Sequence, residues 1–207
     1  SDLRRQRQMC IRDRCKYYSM NKADKLKSEK ALFFKNFIKN PLRNASVIPS
    51  SKAATKAILR GIDFDTIDVI VELGPGSGVF TKEIIAQAKP SAKIVVLELE
   101  ASYLSMLQQK FGDRILLEHA SAHLLQDVMK KHGLDKVDLI VSGLPFLKGE
   151  IKEKVDQTIM NFAEEGTIYR FFTYMPPIMK KVYKSMPIEK KNLEVRNVPP
   201  FWVYGIN

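Results

Sequence analysis

The residues with the clearest chemical potential stand in three short stretches. Glu72-Leu73-Gly74-Pro75-Gly76-Ser77-Gly78 joins an apolar run, Val69 to Leu73, to a segment of helical composition beginning at Phe80. Glycines in such a turn let the backbone pass close to a ligand and adopt dihedrals that a side chain would forbid. Glu98 ends a second apolar run twenty residues after Gly78, the spacing at which an acid can accept both hydroxyls of a ribose. Together these predict an adenosine-bearing cofactor, against the plainer reading of a tight strand-to-helix turn with no ligand. A dinucleotide loop reads G-x-G-x-x-G and turns a helix N-terminus toward a pyrophosphate. Here the spacing is G-x-G-x-G, with an acid at Glu72 before it and Pro75 inside it. The third stretch, Val141-Ser142-Gly143-Leu144-Pro145-Phe146-Leu147, leaves a further apolar run and would face whatever the first two hold.

These stretches need strands to carry them. Val69 to Leu73, Ile94 to Leu97, Ile115 to Glu118, Val137 to Val141 and Ile168 to Thr173 read as buried strands. Helices are expected between them over Phe80 to Ala88, Ala101 to Lys110, Leu124 to His132 and Lys152 to Glu164. Leu193 to Arg196 and Phe201 to Tyr204 read as a terminal hairpin. Alternation of this kind predicts an α/β fold with a mostly parallel, doubly wound sheet, an antiparallel C-terminal hairpin, and ligand sites at the carboxyl ends of the strands. Upstream, Asp24 to Asn40 lacks Gly and Pro, stops at Asn40-Pro41, and places Leu26, Phe33 and Phe37 on one stripe with Phe34 and Ile38 beside it. A second helix is expected from Ser51 to Arg60, with Gly61 as its stop.

The 207 residues suffice for one domain with a full core, and the net charge of +11 is unevenly placed. Residues 1–19 carry +4, residues 20–60 carry +8, and residues 61–207 carry −1. A protein gripping a nucleic-acid duplex with its main body would spread Lys and Arg over that body, so nucleic acid is not the expected partner. Residues 1–19, which hold five of the ten arginines and both cysteines, read as foreign to the fold or as a disordered basic arm. Cys10 and Cys15, with three scattered histidines, make no zinc site, and no metal is expected. The expected organisation is that tail, an N-terminal helical region over 20–60, and a catalytic domain over 61–207. With neither a long apolar span nor a signal-peptide core in the sequence, a cytoplasmic setting is expected.

The ELGPGSG stretch resembles motif I of class I S-adenosylmethionine-dependent methyltransferases, and Glu98-Leu99-Glu100 resembles their second motif. That resemblance implies a Rossmann-like fold and S-adenosylmethionine as cofactor. It implies cofactor contacts from Glu72, Gly74, Gly76, Gly78, Glu98, Leu99, Ser121, Ala122 and Ser142. Ser121, in His119-Ala120-Ser121-Ala122, stands where the family places an Asp near the adenine amine, and it would accept without charge assistance.

Two branches share these motifs. The chain resembles rRNA adenine dimethyltransferases in ELGPGSG and VLELE, yet their loop after strand four reads Asn-Leu-Pro-Tyr or Asn-Leu-Pro-Phe, and here Gly143 replaces the Asn that holds the base. It is similar over roughly Phe33 to Tyr204 to bacterial phospholipid N-methyltransferases of the phosphatidylethanolamine type. The similarity rests on FFKNFIKNPLRNASVIPSSKAA, VSGLPF, Phe172-Thr173-Tyr174 and Arg196-Asn197-Val198-Pro199-Pro200.

This second resemblance implies methyl transfer to the amine of phosphatidylethanolamine, on through to phosphatidylcholine. Tyr174 and Pro145 would be the catalytic residues, Tyr174 positioning the amine or relaying its proton. Phe146 and Gly143 would line the acceptor slot, and the Phe146 and Tyr174 rings could hold a methylated ammonium by cation–π attraction. Arg43, Lys52 and Arg196 would meet the lipid phosphate. The expected partners are the phospholipid and an anionic membrane surface, met by a monomer on the inner face of the cell membrane. The helix over Asp24 to Asn40 would serve as lid, membrane anchor or both. An rRNA adenine-N6 methyltransferase and a non-catalytic membrane or RNA adaptor are the alternatives.

Overall fold

The computed structural model describes residues 52–144, 147–174, 176–195 and 200–207, with backbone alone for 52–54 and 178–180. The basic tail, the helix expected over Asp24 to Asn40, and Arg43, Pro145, Phe146 and Arg196 lie outside the described residues. In chain order the described elements begin α1 (Lys52–Ile58), β1 (Val69–Leu73), α2 (Val79–Gln87), β2 (Lys93–Glu98), α3 (Ala101–Phe111) and β3 (Leu116–His119). They continue α4 (Leu125–Lys131), β4 (Leu139–Ser142), α5 (Gly149–Glu164), β5 (Ile168–Thr173), α6 (Met179–Val182), β6 (Glu189–Glu194) and β7 (Phe201–Ile206).

Seven strands form one sheet in the order β3-β2-β1-β4-β5-β7-β6. Strands β1 to β5 pair in parallel, whereas β7 runs antiparallel to β5 and β6. The order reverses direction between β1 and β4, which puts the carboxyl ends of these two strands at the switch point of the sheet, where open α/β sheets bind ligands. The expected doubly wound sheet with an antiparallel C-terminal hairpin is the observed fold.

Strand composition follows from burial on both faces. β1, β2 and β4 read VIVEL, KIVVLE and LIVS and are buried along almost their whole length. One face packs Val71, Leu73, Val95 and Ile140 against Leu125 and Val128 of α4 and Val155, Ile159 and Phe162 of α5. The other packs Ile70, Ile94, Val96 and Val141 against Ala57 and Ile58 of α1 and Phe80 and Ile84 of α2. α1 thus belongs to the sheet's own core, and the Asn192 amide of β6 donates to the Ala57 carbonyl at 3.2 Å.

The structure departs from expectation at several boundaries. The first strand of the hairpin is Glu189–Glu194, reading EKKNLE, rather than Leu193 to Arg196. Its outer residues are exposed, and pairing with β7 at the sheet edge overrides their poor strand composition. α5 starts at Gly149, three residues before the expected Lys152, and α6 was not anticipated, being four residues long and too short to show a period.

Candidate active site

The loop after β1 is built from three glycines with positive φ, which differ in what surrounds them. A Cβ on Gly78 (φ +78°) would fall 2.6 Å from the Phe111 ring of α3, and one on Gly74 (φ +68°) would fall 3.0 Å from Leu144. On Gly76 (φ +53°) it would meet nothing within 4 Å. Gly74 and Gly78 therefore let neighbouring elements close in, while Gly76 faces open space that a bound molecule could take.

Glu98 ends β2 and is 7% exposed. One of its carboxylate oxygens accepts the Gly76 amide at 3.0 Å and the other the Glu100 amide at 2.8 Å. Each oxygen keeps a lone pair for a further donor, so the acid is fixed in place without being used up. Leu99, next in the chain, is 66% exposed. An apolar ring laid on it would recover that surface. The Leu99 carbonyl lies 3.0 Å from His119 Nε2, which ties the end of β2 to the end of β3.

Glu72 carries the strongest sign of a missing partner. It is 1% exposed, shares a side of β1 with Ile70, and neither carboxylate oxygen has a hydrogen-bond partner among the described residues. The hydroxyl of Thr81, a fully buried residue of α2, is likewise unpartnered. Burial pushes the Glu72 carboxyl up to about 7; the Thr81 hydroxyl and amide lie close enough to offset this in part without forming a hydrogen bond of normal geometry, and the Glu98 charge adds to the rise. A buried carboxyl without donors is costly unless a ligand supplies them, and a cationic group is the natural complement. Thr81 was not among the residues anticipated from the sequence; its place in the first turns of α2, directly after the glycine loop, is the signal that could have found it.

At the end of β4 the structure sharpens the reading of the third stretch. A Cβ on Gly143 would lie 2.6 Å from the Gly74 carbonyl oxygen, so the space of a side chain there is filled by the facing loop. This glycine therefore marks a close approach of two backbones, while Pro145 and Phe146, expected around the acceptor slot, lie outside the described residues. Ser142 is buried on the α4/α5 side of the sheet, with its hydroxyl 3.4 Å from the Leu144 amide and beside Tyr169. That location is in the core below the loop. Ala122 is buried in the same layer, and the half-buried Ser121 hydroxyl lies 2.9 Å from His123 Nδ1.

Tyr174 follows the end of β5, half-buried, with its ring 5.7 Å from Phe172 and 6.0 Å from Phe201. Its packing on this aromatic group fixes the ring near the carboxyl ends of β4 and β5. Lys52 opens α1, and its side chain lies outside the described residues. Glu72, Gly76, Glu98, Leu99 and Gly143 are thus gathered at the switch point. Burial pushes the Tyr169 hydroxyl well above the usual tyrosine range and, with Asp156, does the same to Tyr183.

The fold is that of S-adenosylmethionine-dependent methyltransferases. The chain superposes on such an enzyme from Aquifex aeolicus with a TM-score of 0.54 at 9% identity, over 85% of this chain and 96% of the other. It superposes on Aeropyrum pernix fibrillarin, crystallised with S-adenosyl-L-methionine, with a TM-score of 0.54 at 18% identity, over 78% and 76%. In sequence it is similar to an ornithine lipid N-methyltransferase from Singulisphaera acidiphila, 27% identical over 84% of this chain and 93% of the relative. It is also similar to the ribosomal RNA small subunit methyltransferase A of Clostridium perfringens, 29% identical over 64% of this chain and 43% of the relative. The chain thus spans less than half the length of that ribosomal enzyme. The profile of the ribosomal RNA adenine dimethylases matches residues 31–163. With that match, and with the glycine loop, buried Glu72 and anchored Glu98 fitting S-adenosylmethionine, the chain belongs to the ribosomal RNA adenine dimethylase family and is an S-adenosylmethionine-dependent methyltransferase.

Proposed function

We propose that this methyltransferase acts on a membrane aminolipid, methylating the head-group amine of phosphatidylethanolamine successively. The observation that carries this reading is Gly143. Where the ribosomal enzymes it resembles hold an Asn for the adenine amine, this backbone has no room for a side chain, because the Gly74 carbonyl fills the position. The length relation to the ornithine lipid enzyme, 93% of which the chain covers, supports the same choice.

S-adenosylmethionine supplies an electrophilic methyl group on a cationic sulfur. Glu72, buried and lacking donors, would hold the cofactor's ammonium, and Gly76 leaves the space its amino-acid end needs. Glu98 would accept the ribose hydroxyls with the lone pairs that Gly76 and Glu100 leave over, and Leu99 would lie under the adenine. Tyr174 would position the acceptor amine after its proton has left, orientation being the main source of acceleration for such a transfer. Pro145 and Phe146 would complete the acceptor wall, with Arg43, Lys52 and Arg196 toward the lipid phosphate and the basic N-terminal region on an anionic inner membrane face.

The test supplies labelled cofactor with liposomes containing phosphatidylethanolamine or ornithine lipid, and separately with ribosomal RNA. Label in lipid supports the proposal, and label in RNA alone overturns it. Methylation of an rRNA adenine is the second reading, favoured by the Clostridium perfringens relative.

A further inference from the structure

A cleft of about 700 Å³ opens where the loop after β4 enters α5, between the first half of that helix and the segment from α6 to Met186. Lys152, Glu153 and Asp156 line one wall, and Lys181, Lys184 and Met186 line the other. Lys152 is ion-paired with Asp156 one turn along α5, and both side chains are largely shielded from solvent. The same ammonium sits 5.0 Å from the centre of the Tyr183 ring, so its position is set from two sides. Lys181 and Lys184 are exposed and have no acidic partner among the described residues.

This cleft adjoins the site already described. The Tyr183 ring lies 4.9 Å from Phe171, which is in register with Ser142 at the end of β4. Leu144, Leu147 and Tyr183 pack on one shared core. Two cations without an acidic partner among the described residues, and a third held by Asp156 and Tyr183, therefore stand beside the loop that would receive a methyl acceptor. A membrane aminolipid of the kind proposed above carries an anion a few bonds from its amine, and such an anion is the chemical complement of Lys181 and Lys184.

We propose that this cleft binds the anionic group of a zwitterionic aminolipid, a phosphate diester or a carboxylate, through Lys181, Lys184 and Lys152, and so presents the amine to the site at Gly143. The inference rests on the lipid reading of the function. It assigns the anion to residues of this cleft. Selectivity follows from the charges: an amine without the nearby anion leaves Lys181 and Lys184 with nothing to bind, while Lys152, already paired with Asp156, adds only a supporting contact.

Calorimetric titration with glycerophosphoethanolamine and with ethanolamine tests binding directly, using wild type, K181Q/K184Q, and the charge-matched control K93Q/K130Q on exposed lysines elsewhere. Saturable binding of glycerophosphoethanolamine that K181Q/K184Q loses and the control keeps supports the cleft. No binding, equal binding of ethanolamine, or equal loss in the control overturns it. In parallel, initial rates are measured on vesicles of phosphatidylcholine carrying phosphatidylethanolamine or ornithine lipid. K181Q/K184Q is expected to raise KM about tenfold with kcat nearly unchanged, as expected for lost charge-assisted contacts made equally before and during transfer. An effect on phosphatidylethanolamine alone identifies the phosphate, and an effect on both lipids identifies either anion. If wild type labels neither lipid, the lipid function falls, while the titration still decides the cleft.

Discussion

The Gly76 amide donates to the Glu98 carboxylate at 3.0 Å, so the glycine loop after β1 and the acid ending β2 form one hydrogen-bonded unit. The other oxygen of Glu98 takes the Glu100 amide. Glu98→Gln would turn an NH2 group toward one of these two backbone donors. The variant is expected to lose about 1–3 kcal/mol of stability, the cost of a buried donor without its acceptor. Its affinity for S-adenosylhomocysteine should fall at least about tenfold, the equivalent of ~1.4 kcal/mol. Denaturant unfolding and calorimetry check both, and unchanged affinity would remove Glu98 from the cofactor site.

Gly76 and Gly78 should answer differently to alanine. At Gly78 the new methyl would enter the Phe111 ring, so Gly78→Ala is expected chiefly to destabilise, by about 1–3 kcal/mol for overpacking besides its positive φ. At Gly76 the methyl has room, so the stability loss should be limited to about 1–2 kcal/mol for a left-handed residue. Cofactor binding should instead fall sharply there. Thermal melts with and without S-adenosylhomocysteine separate the two: ligand should stabilise Gly78→Ala and leave Gly76→Ala unmoved.

Glu72 makes stability depend on pH in an unusual direction. Its folded value of about 7 lies above the ordinary 4.5, so between these values the folded chain binds a proton that the unfolded chain releases. Stability from this group is therefore full at low pH and declines as pH rises toward and past 7, by up to about 3 kcal/mol. Glu72→Gln should flatten that slope and be the more stable protein at about pH 8, while binding cofactor poorly. A cationic ligand group beside Glu72 favours its ionised form, so cofactor binding near neutral pH should release a proton. Calorimetry in two buffers of different ionisation enthalpy measures that release; its absence would separate Glu72 from the ligand's ammonium.

Gly143→Asn would restore the residue of the ribosomal loop. Because its Cβ would meet the Gly74 carbonyl at 2.6 Å, the variant is expected to lose about 1–3 kcal/mol and to gain no activity on rRNA. Urea unfolding and labelling of ribosomal RNA provide the check. Robust RNA methylation by this variant would mean that the loops separate easily, and the exclusion of bases would need another cause.

Much of this site could be read from the chain because its parts follow local rules. The β1 run, the glycine turn and the acid at the end of β2 announce themselves by composition and spacing, and the structure joins them through the Gly76–Glu98 hydrogen bond. What stayed hidden depends on contacts between distant segments. The glycine at 143 reads as a lost amide in sequence, and only the facing Gly74 carbonyl shows that no side chain would fit. β6 was misplaced because EKKNLE gains its strand conformation from pairing with β7. The Lys152–Asp156 pair stood in the sequence at helical spacing, yet only the Tyr183 segment opposite makes it a wall of a cleft.

The interior position of β7 governs the order in which this domain can assemble. β7 separates β5 from β6, so β6 has no strand to join until β7 is in place. α1 and the turn that follows it are clasped by β6, through Asn192 to Ala57 and through Arg60 to Asn192 and Glu194. Residues more than a hundred positions apart thus close the domain together, raising its contact order and placing that closure late in folding. On a ribosome, the parallel core of β1 to β5 would wait with one edge bare until β7 emerges, and that edge is where the nascent protein is most open to wrong pairing.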